Sequence, residues 1–107
     1  MKLAEQSCEP PREDQEPLSP DEADELMDQI PAWGLQDGAI SRELEFEDFD
    51  EAMDFVNDVA EIAEAEDHHP DICISYNQVT LMLSTHKIGG LSMNDFIMAA
   101  KIDRRVR

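Results

Sequence analysis

The sequence is poor in positive charge: 8 Lys and Arg residues stand against 26 Asp and Glu residues, which gives the 107-residue chain a formal net charge of -18. Nucleic acids and anionic membrane surfaces are bound through basic patches, so this balance argues against both as partners. The chain also lacks an apolar run near the roughly 20 residues of a membrane-spanning helix. Nor does it begin with the apolar stretch of a secretory signal. We therefore expect a cytoplasmic protein that binds neither membrane nor nucleic acid.

Cysteine is scarce too, since Cys8 and Cys73 are the only two and form no Cys-x-x-Cys pair. Cys8 falls in a segment rich in Glu, Pro, Gln and Ser, so a structural disulfide is not expected and a reducing compartment fits. This segment, residues 1–18, has little to bury and is predicted to be a disordered or loosely held tail. The remaining residues, 19–107, suffice for one small domain.

Capping patterns predict three helices. The first begins at Ser19 and is stopped by Pro31, the second runs from Asp48 to Asp67 or His68, and the third begins at Ser92. Apolar residues at three- and four-residue spacing give the second helix its predicted buried face: Phe49, Ala52, Met53, Val56, Val59, Ala60 and Ala63. Its many carboxylates indicate a solvated outer face rather than an acid-specific role.

Two predicted hairpins lie between the helices. The first joins residues 33–35 to 39–46, and the second joins residues 72–76 to 79–83 through a loop at Asn77-Gln78. Arg42 falls on the apolar face of its strand, where it is either an edge residue or a binding residue. Together the elements predict an α+β fold: a two-layer sandwich with a four-stranded antiparallel sheet and three helices packed on one face.

The three histidines are the most informative residues. His68 and His69 stand where the acidic helix should end, and the negative end of a helix together with nearby carboxylates favours a protonated imidazole, which can donate a proton. If the second hairpin turns at residues 77–78, Ile72 faces Leu83, and extending that register brings His69 level with His86. All three imidazoles are then expected to border one concavity.

The three histidines could also bind a metal ion or have a purely structural role. Three histidines can bind zinc, but adjacent histidines tend to point apart and no His-x-x-x-His spacing occurs, so the pattern favours no metal. A structural role, in which polar residues finish a helix and a strand, also fits. Spacing alone does not decide between catalysis and structure.

The histidine region resembles the pterin-4a-carbinolamine dehydratases, also called 4a-hydroxytetrahydrobiopterin dehydratases, and is most similar to their bacterial branch. The resemblance is carried by residues 64–71 (Glu-Ala-Glu-Asp-His-His-Pro-Asp), Tyr76-Asn77, Thr85-His86, Gly90-Leu91-Ser92 and Asp95. It extends over roughly residues 18–103 without an evident insertion, and the spacing of these motifs is far more specific than any one of them.

The resemblance implies a reaction and its participants. The substrate is the 4a-hydroxytetrahydropterin left by an aromatic amino acid hydroxylase, and loss of water gives the quinonoid dihydropterin, which a reductase can recycle. No metal or organic cofactor is implied, and family members are homodimers or homotetramers. The alternative is a pterin-binding or protein-interaction module, like the family's transcriptional coactivators, without this activity.

The resemblance also implies roles for individual residues. His68 and His86 correspond to an acid/base pair, and His69 to a residue that binds and orients the pterin. Glu64 and Asp67 correspond to carboxylates that orient the histidines. Asp95 either belongs to the site or caps the last helix, and both roles are compatible. Further residues expected to bind or orient the substrate are Pro70, Asp71, Ser84 and Thr85.

Overall fold

A computed structural model of the chain describes residues 2–12 and 14–106. Its helices are α1 (Pro20–Met27), α2 (Phe49–Glu66) and α3 (Met93–Asp103), and its strands are β1 (Gly34–Gln36), β2 (Ala39–Glu45), β3 (Asp71–Ser75) and β4 (Gln78–Leu83). Short 3₁₀ turns lie at Leu3–Glu5 and His86–Ile88. The strands form one antiparallel sheet in the order β1-β2-β4-β3, and the predicted α+β sandwich of four strands and three helices is confirmed.

The helices begin where their capping residues predict. Ser19 accepts a hydrogen bond from the backbone N–H of Glu22 and donates its own N–H to the Glu22 carboxylate, which is a complete capping box. Asp48 accepts from the N–H of Glu51 at 2.9 Å and caps α2. Within residues 2–12 and 14–106, no helix combines the length and the apolar character that a membrane span requires.

One face of the sheet packs against the helices. Its buried residues are Ile40, Leu44, Val79, Leu81 and Leu83. On α2 the buried face includes Phe55 and Ile62, whereas Phe49 is 47% exposed and Ala60 is also exposed. The prediction that Phe49 and Ala60 face the core was therefore wrong. The observed face keeps the three- and four-residue spacing but is rotated about the helix axis.

The predicted register of the second hairpin was also wrong. The loop is Tyr76-Asn77, with Tyr76 in the left-handed region at φ 52, and Ile72 pairs with Leu81 instead of Leu83. The Asn77 side chain donates to the carbonyl of Phe46 at 2.8 Å, and the Asn77 carbonyl accepts the Phe46 N–H at 2.8 Å. These bonds to the end of β2 hold the loop at this position. Because the register differs by two residues, each side chain keeps its face of the sheet.

The N-terminal residues differ from the expected loose tail. Residues 3–9, which we call the N-terminal strap, lie against α3, and Leu3 is only 1% exposed. Its backbone N–H donates to the Gln29 side chain at 3.2 Å, and Lys101 donates to the carbonyl of Ala4 at 3.1 Å. One apolar residue and several backbone hydrogen bonds thus order a segment whose composition suggests disorder.

Arg42 joins the sheet to the end of α3. Its guanidinium lies 2.7 Å from the Asp103 carboxylate, and the indole N–H of Trp33 donates to the same oxygen at 2.8 Å. Both side chains of the ion pair are mostly buried. This arrangement gives Arg42 a structural partner on the core side of the sheet.

Candidate active site

The end of α2 directs the two adjacent histidines to opposite environments. Asp67 has φ 53, in the left-handed region that Asp tolerates better than most residues, and the N–H groups of Asp67 and His68 both donate to the Ala63 carbonyl. The chain then turns, so that the His68 side chain is 12% exposed and the His69 side chain 54% exposed. Asp67 therefore orients the histidines through its backbone conformation, and its own side chain is exposed.

His68 contacts a fully buried carboxylate. Its Nε2 lies 2.6 Å from Oδ1 of Asp95, which is 0% exposed and stands in the first turn of α3. A buried carboxylate requires hydrogen-bond donors, and Asp95 receives two more at Oδ2: the Thr85 hydroxyl at 2.9 Å and the Ser92 N–H at 3.0 Å. The hydroxyls of Thr85 and Ser92 lie 2.7 Å apart.

This geometry constrains the chemistry of the His68 ring. When Asp95 is ionised, Nε2 of His68 must carry the proton of their hydrogen bond. A neutral His68 then presents the lone pair of Nδ1, and the carboxylate stabilises the imidazolium that forms when Nδ1 takes up a proton. The His68–Asp95 pair can therefore accept and return a proton without rotation of the ring.

His69 has a different partner. Its Nε2 lies 2.5 Å from Oε2 of Glu64, one turn back on α2, and both side chains are largely exposed. An exposed pair of this kind contributes at most about 1 kcal/mol to stability. The contact nevertheless restricts the orientation of the imidazole at the surface.

The sequence predicted that His86 ends a strand, but the structure places it elsewhere. β4 ends at Leu83, and His86 begins an exposed 3₁₀ turn that Gly89 closes in the left-handed conformation at φ 72. The preceding residue, Thr85, is buried and pairs with Gly90 across the turn, with its N–H donating to the Gly90 carbonyl at 2.8 Å. Since Thr85 also contacts Asp95, the backbone beside His86 is fixed to the carboxylate that holds His68.

The connection between the histidines therefore differs from the one predicted. Extension of the observed hairpin register places His69 level with Ser84, not with His86. Asp95 joins only His68 to Thr85, the residue before His86, since one of its oxygens contacts His68 and the other contacts Thr85. Among the other predicted site residues, Pro70 and Ser84 are half-buried in the segments flanking the sheet, and Asp71 is exposed at the start of β3.

Sequence reasoning left Ser92 as a helix cap and did not select Glu66, Asn94 or Cys8. Ser92 and Asp95 do form a capping contact, and the Ser-x-x-Asp spacing was the available signal. Glu66 lies within the motif at residues 64–71, although no role was assigned to it, and no sequence pattern marked Asn94 or Cys8. The Cys8 N–H donates to Glu66, and burial together with the nearby Glu66 carboxylate raises the pKa of the Cys8 thiol from 9.0 to about 12.

In the part of the chain that the structure describes, three cavities lie away from the histidines, and the smallest, of about 300 Å³, lies beside the 3₁₀ turn at Leu3–Glu5. A second, of about 470 Å³, lies between β2 and α2 and is lined by Arg42, Phe46, Phe55 and Arg105, among others. The third, of about 480 Å³, lies between the N-terminal residues and the start of α3. Within residues 2–12 and 14–106, no group of three or more His, Cys, Asp or Glu side chains is arranged to hold a metal ion.

Comparisons with known proteins agree on one family. The family described as "Pterin 4 alpha carbinolamine dehydratase" matches residues 16–105. A protein of Halorhodospira halophila named "Putative pterin-4-alpha-carbinolamine dehydratase" is 44% identical over 105 residues, 96% of each chain. A protein of the same name from Rubrobacter xylanophilus is 44% identical over 103 residues, 95% of this chain and 96% of its own.

A solved structure agrees with the sequence comparisons. The crystal structure of a transcriptional coactivator/pterin dehydratase from Brucella melitensis matches with a TM-score of 0.78 and 34% identity, over 82% of this chain and 96% of that one. The chain therefore belongs to the pterin 4 alpha carbinolamine dehydratase family.

Proposed function

We propose that this member of the family dehydrates a 4a-hydroxytetrahydropterin to the quinonoid dihydropterin and water. The observation that carries the proposal is the His68–Asp95 contact at 2.6 Å, in which a fully buried carboxylate holds a partly exposed imidazole. The pterin left by an aromatic amino acid hydroxylase is the substrate, so the enzyme would serve pterin recycling.

The reaction requires two proton transfers. A base removes the N5 proton of the substrate, the electron pair of the N5–H bond forms the N5=C4a double bond, and the C4a–O bond breaks. An acid protonates the departing hydroxyl, which leaves as water. We assign the acid/base pair to His68 and His86, and the orientation of the pterin to His69 with Glu64.

The structure supports this assignment in two ways. Asp95 holds Nε2 of His68 at 2.6 Å, so the proton on Nε2 stays in that hydrogen bond and Nδ1 is left to exchange a proton with the substrate. His86 is exposed, where a substrate can reach it, while its neighbour Thr85 is anchored to the same carboxylate. Each positioned proton-transfer group is typically worth about 10²–10⁴ in rate.

The test uses synthetic 4a-hydroxytetrahydropterin and follows formation of the quinonoid product by absorbance, against the spontaneous reaction in buffer. His68→Ala and His86→Ala should each lower kcat at least about a hundredfold. The matched control is Asn57→Ala, an exposed position in the middle of α2, which should keep the wild-type rate. Failure of the wild type to exceed the buffer rate would reject the enzyme and leave the interaction-module alternative. Wild-type rates in both histidine variants would reject the assigned roles.

The proposal extends to assembly. We infer a homodimer or homotetramer, in line with the small core of the chain and with the exposure of the apolar or aromatic residues Leu35, Phe49, Ile74, Tyr76 and Met82. Light scattering coupled to size-exclusion chromatography measures the mass of the assembly. A mass equal to the 12.1 kDa chain at micromolar concentration would contradict this inference.

A further inference from the structure

The N-terminal strap contacts the two helix ends that carry the His68–Asp95 pair. The Cys8 N–H donates to Oε1 of Glu66, the last residue of α2, at 2.8 Å. The next strap residue, Glu9, makes two bonds to Asn94 in the first turn of α3: its N–H donates to Oδ1 at 2.9 Å, and its carbonyl accepts from Nδ2 at 2.6 Å. Two adjacent residues of the strap thus bridge α2 and α3.

These contacts lie directly beside the proposed acid/base pair. Glu66 precedes His68 by two residues, and Asn94 immediately precedes Asp95. His68 and Asp95 are 27 residues apart in sequence, so the distance between their side chains depends on how the end of α2 sits relative to the start of α3. The strap joins those same two ends.

The side chains that the strap contacts are largely buried. Asn94 is 8% exposed and Leu3 is 1% exposed, while the Glu66 side chain is 17% exposed and lies 3.8 Å from Nζ of Lys101. The bond from the Cys8 N–H to the Glu66 carboxylate has a charged acceptor and is partly buried, and such bonds are stronger than exposed neutral ones. Such bonds can hold two helix ends in a fixed relation.

We propose that the N-terminal strap, through Glu66 and Asn94, is a positioning element that sets the geometry of the His68–Asp95 pair. This inference rests on the proposed function, because the pair matters for rate only if His68 takes part in proton transfer. Glu66 and Asn94 are positioning residues that act through the strap and do not touch the substrate. Displacement of a catalytic group by about 1 Å can lower a rate by up to about a hundredfold.

The central experiment compares Glu66→Leu with Glu66→Gln in the full chain. Glutamine keeps an Oε1 acceptor for the Cys8 N–H but loses the charge that faces Lys101, whereas leucine loses both. We expect Glu66→Leu to lower kcat about tenfold with KM within twofold, and Glu66→Gln to retain most of the wild-type kcat. Equal losses in the two variants would overturn the proposal, because the hydrogen bond to Cys8 would then not be responsible.

A second pair of variants tests the other end of the bridge. Asn94→Ala loses both bonds to Glu9, while Asn94→Asp keeps an acceptor for the Glu9 N–H but places a charged oxygen against the Glu9 carbonyl. The rate should therefore fall below the wild-type value in both variants. An unchanged kcat in both Asn94→Ala and Glu66→Leu, with folding intact by circular dichroism, would overturn the proposal.

A spectroscopic readout separates this inference from the activity itself. The ¹⁵N and ¹H signals of the His68 Nε2–H group report its hydrogen bond to Asp95, whether or not the protein turns over a pterin. They should shift in Glu66→Leu and remain in place in Ile40→Val, a core variant in β2 that lowers Tm without touching the strap. Unchanged signals in Glu66→Leu would reject the positioning role, whereas a wild type without dehydratase activity would reject only the proposed function.

Discussion

Asp95→Asn is the most informative single substitution, because it preserves size and removes only charge. The amide oxygen can take the place of Oδ2 and accept from Thr85 and the Ser92 N–H, so the amide nitrogen faces Nε2 of His68. The opposite orientation would place two N–H donors against each other at Ser92 and is unfavourable. Nε2 must then accept a hydrogen bond, and the proton of neutral His68 moves to Nδ1.

The expected effects follow from that change of tautomer. Nδ1 no longer offers a lone pair to the substrate, and no carboxylate stabilises the imidazolium, so kcat should fall about a hundredfold or more. Replacement of the three charge-assisted hydrogen bonds of Asp95 by neutral ones, partly offset by removal of a buried charge, should lower the free energy of unfolding by about 1–2 kcal/mol. For a domain of this size, that loss corresponds to a decrease in Tm of roughly 5–15 °C.

The assay combines the dehydration rate with a thermal melt followed by circular dichroism, at a temperature where both proteins are folded. Asp103→Asn is the matched control: it makes the same change in the last residue of α3, where the carboxylate binds Arg42 and Trp33 instead of a histidine. It should lose stability and keep its rate within about twofold. A wild-type rate in Asp95→Asn would refute the view that Asp95 fixes the His68 tautomer.

Two further substitution and labelling experiments test the strap and the second hairpin. At pH 8, Cys8 should react with iodoacetamide about a thousandfold more slowly in the folded chain than in the unfolded chain, because folding raises its pKa from 9.0 to about 12 and lowers its thiolate fraction. Because the pKa of Cys8 is higher in the folded chain than in the unfolded chain, its contribution to the free energy of unfolding is complete below pH 9 and is lost as the pH rises from 9 to about 12. Equal labelling rates, measured by peptide mass spectrometry, would contradict the docked strap. Tyr76→Gly should raise the free energy of unfolding by roughly 0.5–1 kcal/mol. Tyr76 has φ 52, so glycine relieves about 1–2 kcal/mol of left-handed strain but loses about 0.5–1 kcal/mol to the greater freedom of the unfolded chain. A lower stability in urea titration would contradict this.

Local sequence signals predicted the helices and the fold class because they act over a few residues. Ser19 with Glu22, and Asp48 with Glu51, are spaced for hydrogen bonds within one turn, and those bonds are present. Alternation along the strands identified the buried face of the sheet, which survives a shift of two residues in register. Such features depend little on the rest of the chain.

The predictions failed where contacts between distant parts of the chain determine the local structure. Asn77-Gln78 and Tyr76-Asn77 are both acceptable two-residue loops, and the two bonds between Asn77 and Phe46, the residue after β2, favour the latter. The strap docks chiefly through backbone N–H groups, which every residue other than proline possesses, so composition could not predict its position. The roles that we propose for Glu66 and Asn94 could not be predicted for the same reason, because their partners are backbone groups of the strap.

The two carboxylate oxygens of Asp95 have different partners, one at the start of α3 and the other on His68, and substitutions can test the two contacts separately. Oδ2 meets Thr85 and the Ser92 N–H, the contacts that begin α3, whereas Oδ1 meets His68. Thr85→Val keeps the shape of a 4% exposed side chain and removes the hydroxyl, so it should lower the free energy of unfolding by about 1–3 kcal/mol. Because the Oδ1 contact remains, the rate should fall less than tenfold. His68→Ala should instead lower the rate at least about a hundredfold, and it should also destabilise the fold, because Oδ1 of the buried carboxylate loses its partner. A loss of rate in Thr85→Val as large as that in Asp95→Asn would show that the helix cap and the imidazole partner cannot be separated, and that the capping contacts themselves hold His68 in its reactive orientation.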